Sequence, residues 1–332
     1  MTATIPTTAR RLTGLKPTGH LHLGSLVGAI RPMVADQYAS ESVVLVADLH
    51  ALTVEHDPQR VRELVLEQAT LLLAAGVDPD RSLFYVQSHV PHHAELHYLL
   101  ECATSYGEAH RMIQFQERAR RGGQQVRLSL LTYPVLMAAD ILLHDTAEVP
   151  VGDDQTQHLE LARDVATRFN RRYGRTFVVP RAVNPPVAAR IMDLVDPAGK
   201  MGKTNDSPAG TIFLLDPPGT VRRKVMRAVT DGRARVRYDP VGQPGVANLL
   251  EILAACVGGE PATLATGLGS YGALKNAVVD AVEATLHPLR TRYQELARDP
   301  AHVRRVLAEG AERAGDTAAE TVHRARRALG LA

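Results

Sequence analysis

The sequence predicts an α/β protein built on a doubly wound parallel sheet, followed by an all-helical part. In the first half, short apolar runs rich in β-branched residues alternate with amphipathic helical windows, the pattern of a parallel sheet covered by helices on both faces. Beyond Asp216 the pattern is almost wholly helical. A Pro- and Gly-rich stretch joins the halves and is longer than most connections in compact proteins. We therefore expect two domains, over residues 1–205 and 206–332.

The alternation predicts individual strands and helices. Pro58–Ala75 illustrates the helices, because Asp57 and Pro58 supply a cap and a first-turn proline and Gly76 stands where a helix ends. The strands are predicted at Arg11–Gly14, Val43–Ala47, Leu83–Val86, Glu148–Val151 and Thr176–Val179. The helices are predicted at Ser25–Gln37, Pro58–Ala75, His92–Ser105, Ser129–Leu143, Gln155–Tyr173, Pro244–Val257, Gly272–Gln294 and Pro300–Leu329.

The composition is that of a globular protein. Of the 332 residues 45% are hydrophobic and 22% are charged, which argues against a disordered chain and a coiled coil. No run approaches the ~20 apolar residues of a membrane span, and the N-terminus lacks the apolar segment of a signal peptide, so we expect a cytoplasmic protein. Cys102 and Cys256 lie in apolar surroundings and are predicted to be reduced core residues.

Positive charge is carried almost entirely by arginine. The 38 basic residues leave a net charge of only +2 and include five lysines, so a polyanionic partner would have to meet local basic patches. Compositional drift is the simplest explanation of the lysine count. Arginine cannot always replace a compact ammonium, however, and three of the lysines (Lys16, Lys200 and Lys203) fall in two candidate ligand loops.

The first of these loops is the segment 14–25, GLKPTGHLHLGS, between the first predicted strand and the first predicted helix. In a doubly wound sheet this junction faces ligands, and a helix N-terminus offers N–H groups suited to phosphate. Gly19 and Gly24 allow close approach of a ligand, and His22 and Ser25 can donate hydrogen bonds. The alternative is a Gly- and Pro-rich turn with incidental histidines.

The second loop contains Lys200-Met-Gly-Lys-Thr204 within the long connecting stretch. Two ammonium groups three residues apart can close over a triphosphate and neutralise the charge that develops on a leaving pyrophosphate. The alternative is a solvated lysine pair, which the rarity of lysine elsewhere disfavours.

A third motif, the segment 131–143 (LTYPVLMAADILL), is an apolar helix with one carboxylate. Burying Asp140 without a partner would cost several kcal/mol or force its protonation. A structural interpretation has Asp140 capped or paired within the core.

A fourth motif, the segment 149–158 (VPVGDDQTQH), runs from a predicted strand into a helix N-terminus. Its acidic and amide side chains at this junction suit ribose hydroxyls and a substrate amine.

Two of these motifs resemble the signature elements of class I aminoacyl-tRNA synthetases. His22-Leu-Gly-Ser25 is similar to their HIGH element, and Lys200–Thr204 is similar to their KMSKS loop, in the same order and with a wide separation. The segments 131–143 and 149–158 resemble the tryptophanyl enzymes in particular, and the similarity extends over essentially the whole chain. The resemblance implies a Rossmann-like catalytic domain over 1–205 and a helical tRNA anticodon-binding domain over 206–332.

The resemblance also implies roles for single residues. Asp140 would accept the indole N–H of tryptophan, with His50, Met137 and Gln155 completing the pocket, and catalytic roles would fall to His22, Ser25, Lys200 and Lys203. Gly152, Asp153 and Asp154 would contact the ribose and Ile191 the adenine. The implied ATP contacts are Lys16, Pro17, Thr18, Gly24, Ser25, Gly152, Asp153, Asp154, Ile191, Lys200, Met201, Gly202, Lys203 and Thr204.

The implied reaction joins L-tryptophan to ATP, giving tryptophanyl-adenylate and pyrophosphate, and then transfers tryptophan to tRNA(Trp). The tryptophan carboxylate is itself the nucleophile, so positioning and charge stabilisation suffice. Mg²⁺ would accompany ATP as part of the substrate complex, with no tightly bound cofactor and no protein-held metal. The resemblance also implies a homodimer.

The chain departs from the family pattern at four positions. Ser25 stands where tryptophanyl enzymes commonly have asparagine, and Gly202 and Thr204 replace the two serines of KMSKS. Lys16 occupies a place commonly held by glutamine. Both loop lysines remain, and we hypothesise that Lys16 adds a third positive charge near ATP.

Local basic patches are predicted to meet tRNA. The stretch Thr220–Arg237 holds seven basic residues against one acidic residue. Such runs are usually solvated helix faces, but on a synthetase-like chain they favour phosphate contacts and salt-sensitive binding. The last helices carry Arg304, Arg305, Arg313, Arg324, Arg326 and Arg327.

Two other functions stay open. A catalytically weak paralogue would bind tryptophan as a sensor or act as a partner protein, which the intact Lys200 and Lys203 disfavour. A nucleotidyltransferase of the same superfamily would act on a small acid without RNA, which the basic helical part disfavours. Tyrosyl enzymes share the scaffold, but the segments 131–143 and 149–158 favour tryptophan.

Overall fold

Five parallel strands form a single sheet in the order β3-β2-β1-β4-β5. In the computed structural model, the described residues are 9–113, 115–116, 126–152, 155–183, 190–202 and 208–331. The strand order reverses between β1 and β4, and the carboxyl ends of strands at such a point form the usual ligand crevice of this fold. The predicted doubly wound α/β fold is confirmed. The strands are β1 (Arg10–Leu15), β2 (Glu41–Val46), β3 (Ser82–Val86), β4 (Glu148–Pro150) and β5 (Arg181–Val183).

Helices connect these strands. The first, α1, has three consecutive parts: Leu23–Ser25, a wider π-helical turn over Leu26–Ile30, and Arg31–Asp36. Within the described ranges, no helix is both long and apolar enough to cross a membrane. The other helices of this part are α2 (Asp48–Ala51), α3 (Pro58–Ala74), α4 (His92–Glu101), α5 (Tyr106–His110), α6 (Leu128–Leu143) and α7 (Thr156–Tyr173).

The remainder of the chain is helical, as predicted. Its last helix packs along β3, so closely that a Cβ atom at Gly310 would lie 1.8 Å from the carbonyl oxygen of Phe84. The helical part therefore contributes directly to the environment of the sheet, and its separation as a domain over 206–332 remains a prediction. The helices are α8 (Pro218–Met226), α9 (Pro244–Val257), α10 (Pro261–Thr266), α11 (Tyr271–Ala297) and α12 (Pro300–Leu329).

Alternate residues of the buried strands face two apolar cores. Val44 and Phe84 belong to one core, together with residues of α9 and α11. Val43, Leu45 and Tyr85 belong to the other, together with residues of α4, α6, α7 and α12. This alternation is the two-residue period of a strand that is buried on both faces.

The strand predicted at Thr176–Val179 is wrong, because β5 begins at Arg181. The side chain of Asn170 makes the backbone hydrogen bonds that a neighbouring strand would otherwise make. Its Oδ1 accepts hydrogen bonds from the N–H groups of Thr176 and Phe177, both at 2.9 Å, and its Nδ2 donates to the carbonyl of Phe177 at 2.8 Å. These backbone groups are therefore satisfied without a strand pairing.

The prediction that both cysteines lie in the core is also wrong. Cys102 is exposed because it is the C-terminal cap of α4, and Cys256 is only half-buried near the end of α9. Both are free thiols.

Candidate active site

The predicted glycine loop lies at the carboxyl end of β1 and leads into α1. His22 is buried and caps the helix, with its Nδ1 accepting a hydrogen bond from the N–H of Ser25 at 3.3 Å. A Cβ atom at Gly24 would lie 3.1 Å from the same nitrogen and 3.7 Å from the Cβ of Ile191. Glycine therefore leaves room for the imidazole to fold over the start of the helix. Ser25 lies in this first turn, so the predicted HIGH-like residues share one small volume.

A cleft of about 240 Å³ opens beside the π-helical turn of α1. Thr13, Gly28, Pro150 and Gly152 are among its lining residues, so it lies between β1 and β4, where the strand order reverses. Nothing lies within 4 Å of the position that a Cβ atom at Gly28 would occupy. Wide π turns occur frequently at functional sites, and this one borders a cavity next to the predicted ribose residue Gly152.

The segment that begins the lysine loop is anchored next to the glycine loop. Ile191 is buried, and its carbonyl accepts a hydrogen bond from the N–H of Met201 at 3.1 Å. Asn248 of α9 holds the same segment as a strand would, accepting from the N–H of Met192 at 2.8 Å and donating to its carbonyl at 3.0 Å. Lys200 is exposed between these anchors.

The short segment 211–214 forms hydrogen bonds to both the glycine loop and the lysine loop. The N–H of Leu23 donates to the carbonyl of Ile212 at 2.8 Å, and the N–H of Leu214 donates to the carbonyl of Leu21 at 3.0 Å. The hydroxyl of Thr211 donates to the carbonyl of Gly202 at 3.2 Å. The glycine loop and the lysine loop are therefore neighbours despite nearly 180 intervening residues. The predicted site residues Asp153, Asp154, Lys203 and Thr204 lie outside the described residues.

Asp140 is buried in α6 and its carboxylate accepts three hydrogen bonds. His50 lies in α2, the short helix that follows β2, and its Nε2 is 2.8 Å from Oδ2 of Asp140. Nδ1 of His93 is 2.6 Å from Oδ1, and Nε2 of Gln87 donates to the same oxygen at 2.7 Å. Asp140 and His50, both predicted for the amino-acid pocket, are thus in direct contact.

These partners keep Asp140 ionised. Burial alone would raise the pKa of its carboxyl, but the hydrogen bonds from His50 and His93 outweigh burial and hold the pKa well below its usual range. Nε2 of His50 therefore bears the hydrogen in its bond to the carboxylate. Nδ1 of His50 is buried and has no hydrogen-bond partner among the described residues. It is therefore available to bond a polar group that enters the pocket.

Tyr133 connects this pocket to the loop after β1. Its ring meets His50 edge-on, with centroids 6.2 Å apart, and the ammonium of Lys16 lies 4.8 Å from the same centroid. Its hydroxyl is 2.7 Å from Nε2 of His158, whose Nδ1 is 3.1 Å from Oε1 of Gln155. Lys16, predicted for ATP, thus lies over Tyr133, and Gln155, predicted for tryptophan, is joined to Tyr133 through His158.

The remaining predicted residues lie on these same elements. Met137 is half-buried on α6, one turn before Asp140. Pro17 is buried and Thr18 exposed in the loop after β1, and Met201 is buried next to Ile191. The structure therefore forms two groups of site residues, one around His22 and Ile191 and one around Asp140 and Tyr133.

Sequence reasoning missed His93, Gln87, Tyr133 and His158. A usable signal was present for two of them. Gln87 directly follows β3, and His93 is the second residue of α4, the next helix along the chain. The carboxyl ends of neighbouring parallel strands share one edge of the sheet, where ligand sites form. From sequence alone, the spacing of His93 from the neighbouring histidines suggests at most a zinc site. Among the described residues, no cluster of three or more histidine, cysteine or acidic side chains is suited to a metal ion.

A doubly wound parallel sheet with a glycine loop after its first strand and a lysine loop beside it is the architecture of a class I aminoacyl-tRNA synthetase. The family model for class I tRNA synthetases of tryptophan and tyrosine matches residues 7–287. The chain therefore belongs to this family.

Similar proteins lie on the tryptophanyl side of the family. The chain is 59% identical to tryptophan–tRNA ligase 1 of Streptomyces coelicolor over 326 residues, which cover 97% of each chain. The crystal structure of tryptophanyl-tRNA synthetase from Mycoplasma pneumoniae matches with a TM-score of 0.90 at 34% identity, covering 98% of this chain and 99% of the other. That from Campylobacter jejuni, complexed with ADP and tryptophan, matches with a TM-score of 0.84 at 33% identity, covering 97% and 100%.

Proposed function

We infer that the chain is a tryptophan–tRNA ligase, which activates L-tryptophan with ATP and transfers it to tRNA(Trp). The observation that carries this inference is the buried, ionised carboxylate of Asp140 with His50, placed at the ligand edge of a sheet that also holds the two class I loops. An ionised carboxylate that is desolvated in this way recognises an N–H donor. The indole N–H of tryptophan is such a donor.

The amino acid occupies the pocket around Asp140, and Oδ2 accepts the indole N–H. Met137 and Tyr133 supply apolar contacts, and Nδ1 of His50 is left for a polar group of the substrate. Gln155 lies beside the pocket with its Oε1 bonded to His158. A site built around such a hydrogen bond rejects analogues that lack the donor by about 10⁴-fold or more, because its own buried groups would otherwise be left unpaired.

ATP lies across the carboxyl ends of β1 and β4. Its triphosphate meets the start of α1 at His22, Gly24 and Ser25, with Lys16, Pro17 and Thr18 beside it. Its ribose meets the turn 152–154, and its adenine lies near Ile191. The loop 200–204 (Lys200, Met201, Gly202, Lys203 and Thr204) covers the phosphates, and Mg²⁺ accompanies ATP as part of the substrate.

The first reaction is a displacement at the α-phosphorus. A carboxylate oxygen of tryptophan forms the new P–O bond, the bond to the bridging oxygen of pyrophosphate breaks, and that oxygen leaves with the electron pair. The ammonium groups of Lys200 and Lys203 stabilise the charge that develops on the leaving group. In the second reaction, a ribose hydroxyl of the terminal tRNA nucleotide attacks the activated carbonyl and AMP leaves.

Two assays test this function. The wild-type chain is expected to exchange pyrophosphate into ATP only when tryptophan is present, and to charge tRNA(Trp). Absence of tryptophan-dependent exchange would favour a tryptophan sensor. Exchange without charging would favour a nucleotidyltransferase that acts on a small acid.

Lys16 is predicted to contribute to ATP affinity. Lys16 directly follows β1, and its ammonium lies over the ring of Tyr133. In this position it adds positive charge near the phosphates of ATP. Lys16→Gln is expected to raise the KM for ATP about three- to ten-fold in pyrophosphate exchange. Lys16→Arg keeps the charge and should recover part of the affinity. The exposed Arg171→Gln, on α7, is the control for loss of one charge elsewhere. An unchanged KM for ATP in Lys16→Gln would refute the hypothesis.

The best tRNA-binding candidates lie on and after α8. Arg222, Arg223 and Arg227 are exposed there, and Arg233, Arg235 and Arg237 are exposed in the following segment. Lys224 is instead paired with Asp216 at 2.7 Å and packs on Phe213.

Three arginines of the last helix are engaged within the protein. Arg324 pairs with Asp145 at 2.6 Å, Arg326 approaches Glu95 at 3.5 Å, and Arg313 donates to the carbonyl of Pro79 at 2.6 Å. We therefore assign phosphate contacts to the stretch after residue 220 in preference to these three.

Replacing Arg223 and Arg227 together with glutamine is expected to weaken tRNA binding about ten-fold near 0.1 M salt. The dependence of log Kd on log salt concentration should become shallower by about one for each arginine–phosphate pairing that is removed. Pyrophosphate exchange without tRNA should not change. The double variant Arg171→Gln, Arg172→Gln removes the same charge from α7 and serves as control. Equal effects of the two double variants would contradict this assignment.

We also propose that the chain forms a homodimer and works in the cytoplasm. Tyr98, Tyr106, Ile113 and Leu128 are each more than half exposed on or beside α4, α5 and α6, and α4 and α5 both pack against α6. Large apolar side chains grouped in this way usually mark a protein interface. Sedimentation should give twice the chain mass of 36.0 kDa, and Tyr106→Glu with Leu128→Glu should shift it toward the monomer.

A further inference from the structure

A buried chain of hydrogen bonds runs from Asp140 away from the substrate pocket. Beyond His93, whose Nδ1 meets Asp140, the Nε2 of His93 is 2.9 Å from the hydroxyl of Tyr85. The same hydroxyl is 2.7 Å from Nε2 of His144. Nδ1 of His144 is 3.3 Å from the hydroxyl of Thr317. The chain thus begins at the candidate substrate carboxylate and ends on α12, the last helix.

Every ring in this chain is withdrawn from water. Tyr85 and His93 are fully buried, and His144 is 1% exposed. Burying polar groups costs stability unless each is satisfied, and an apolar core would need none of them. The reaction as proposed above does not use Tyr85, His144 or Thr317, so their presence calls for another explanation.

From His93 to Thr317, all the hydrogen bonds of this buried series must have the same direction from donor to acceptor. Burial, together with the neighbouring His93 and Arg10, lowers the pKa of His144 to about 3, so its ring is neutral and carries one proton. Burial and the charge of Asp140 raise the pKa of Tyr85, so its hydroxyl keeps its single hydrogen. Each group can therefore donate to only one of its two neighbours and must accept from the other.

This directionality links a distant hydroxyl to Asp140. The hydroxyl of Thr317 donates its hydrogen to the carbonyl of Ala314 at 3.0 Å, so it accepts from Nδ1–H of His144. Nε2 of His144 then accepts from the hydroxyl of Tyr85. The oxygen of Tyr85 is left to accept from Nε2 of His93, which holds that ring with its Nδ1 at the carboxylate. Without the hydroxyl of Thr317, the proton of His144 can occupy either nitrogen. The hydrogen of Tyr85 is then no longer fixed, and the bond from His93 to Asp140 loses its support.

We propose that Tyr85, His144 and Thr317 are positioning residues for tryptophan recognition, acting through His93 to hold the Asp140 carboxylate in place. The proposal rests on the proposed function, since it assigns the effect to the amino-acid half of that site. It makes the affinity for tryptophan depend on a side chain of the last helix, while the ATP half of the site is left unaffected.

The test is pyrophosphate exchange with Thr317→Val compared with Thr321→Val. Both substitutions remove a hydroxyl from α12 one turn apart, but Thr321 bonds to Arg324 of the same helix, away from the chain of bonds. Thr317→Val is expected to raise the KM for tryptophan about three- to five-fold. The KM for ATP and kcat should stay within two-fold of wild type, and Thr321→Val should change none of the three.

Two further variants separate positioning from stability. Tyr85→Phe removes the central hydroxyl and should raise the KM for tryptophan about five- to ten-fold. Thr317→Ser keeps the terminal hydroxyl, so its KM for tryptophan should equal that of the wild type. A purely structural role would lower the melting temperature without a selective change in the KM for tryptophan, and would overturn the proposal. An equal response of Thr317→Val and Thr321→Val would overturn it as well. If the wild type showed no tryptophan-dependent exchange, the proposed function itself would fail.

Discussion

Asp140→Asn is expected to lower kcat/KM for tryptophan about 10²- to 10³-fold in pyrophosphate exchange. The carboxylate accepts hydrogen bonds from His50, His93 and Gln87, and an amide offers only one oxygen to these donors and sets an NH₂ group against another. Removing one partner of a buried, charge-assisted network costs about 3–5 kcal/mol. The indole N–H would also lose its ionised acceptor.

The loss should be specific for the amino acid. The KM for ATP is expected to stay within about three-fold of wild type, because no described contact joins Asp140 to the glycine or lysine loop. Asp145→Asn is a matched control, since Asp145 lies just after the same helix and pairs with Arg324 at the surface. If Asp140→Asn kept the wild-type KM for tryptophan, the amino-acid pocket would have to lie elsewhere.

Gly310→Ala is expected to lower the free energy of unfolding by about 3 kcal/mol. The new methyl group would lie 1.8 Å from the carbonyl oxygen of Phe84 in β3, and backbone on both sides leaves neither atom free to move alone. Relief requires a shift of α12 off the sheet, and overpacking of this kind costs about 1–3 kcal/mol or more. Urea-induced unfolding measures the change.

Gly315→Ala on the same helix provides the contrast. Nothing lies within 4 Å of its added Cβ atom, and alanine favours a helix over glycine by about 1 kcal/mol. This variant should therefore be unchanged or slightly more stable. Equal destabilisation by the two substitutions would contradict the close packing of α12 on β3.

The fold was largely predictable because its signals are local. Apolar strands, helix periodicity and caps indicated four of the five parallel strands and the long C-terminal helices. Pro244–Val257 and Pro300–Leu329 have the predicted bounds. The strand at Thr176–Val179 was wrong because the partner of this segment is a side chain, Asn170, and periodicity carries no information on such pairing. The window His92–Ser105 was too long because Ser105 begins the next helix with a capping box to Glu108.

The site was predictable only where motifs exist. The glycine loop and the lysine loop are each a single continuous segment of sequence. Their proximity in space follows from the fold. The contacts around Asp140 come from α2, from the turn after β3 and from α4, so they depend on tertiary packing. His93 and His144 look like ordinary core histidines until their partners are known, and Thr317 lies 177 residues after Asp140.

The most direct test of a pocket that reads the indole N–H is pyrophosphate exchange with three amino acids at matched concentrations. Tryptophan is expected to support exchange, whereas 1-methyltryptophan, which lacks the N–H, and tyrosine should each show a kcat/KM lower by about 10⁴-fold or more. Exchange with 1-methyltryptophan or tyrosine as efficient as with tryptophan would contradict the account.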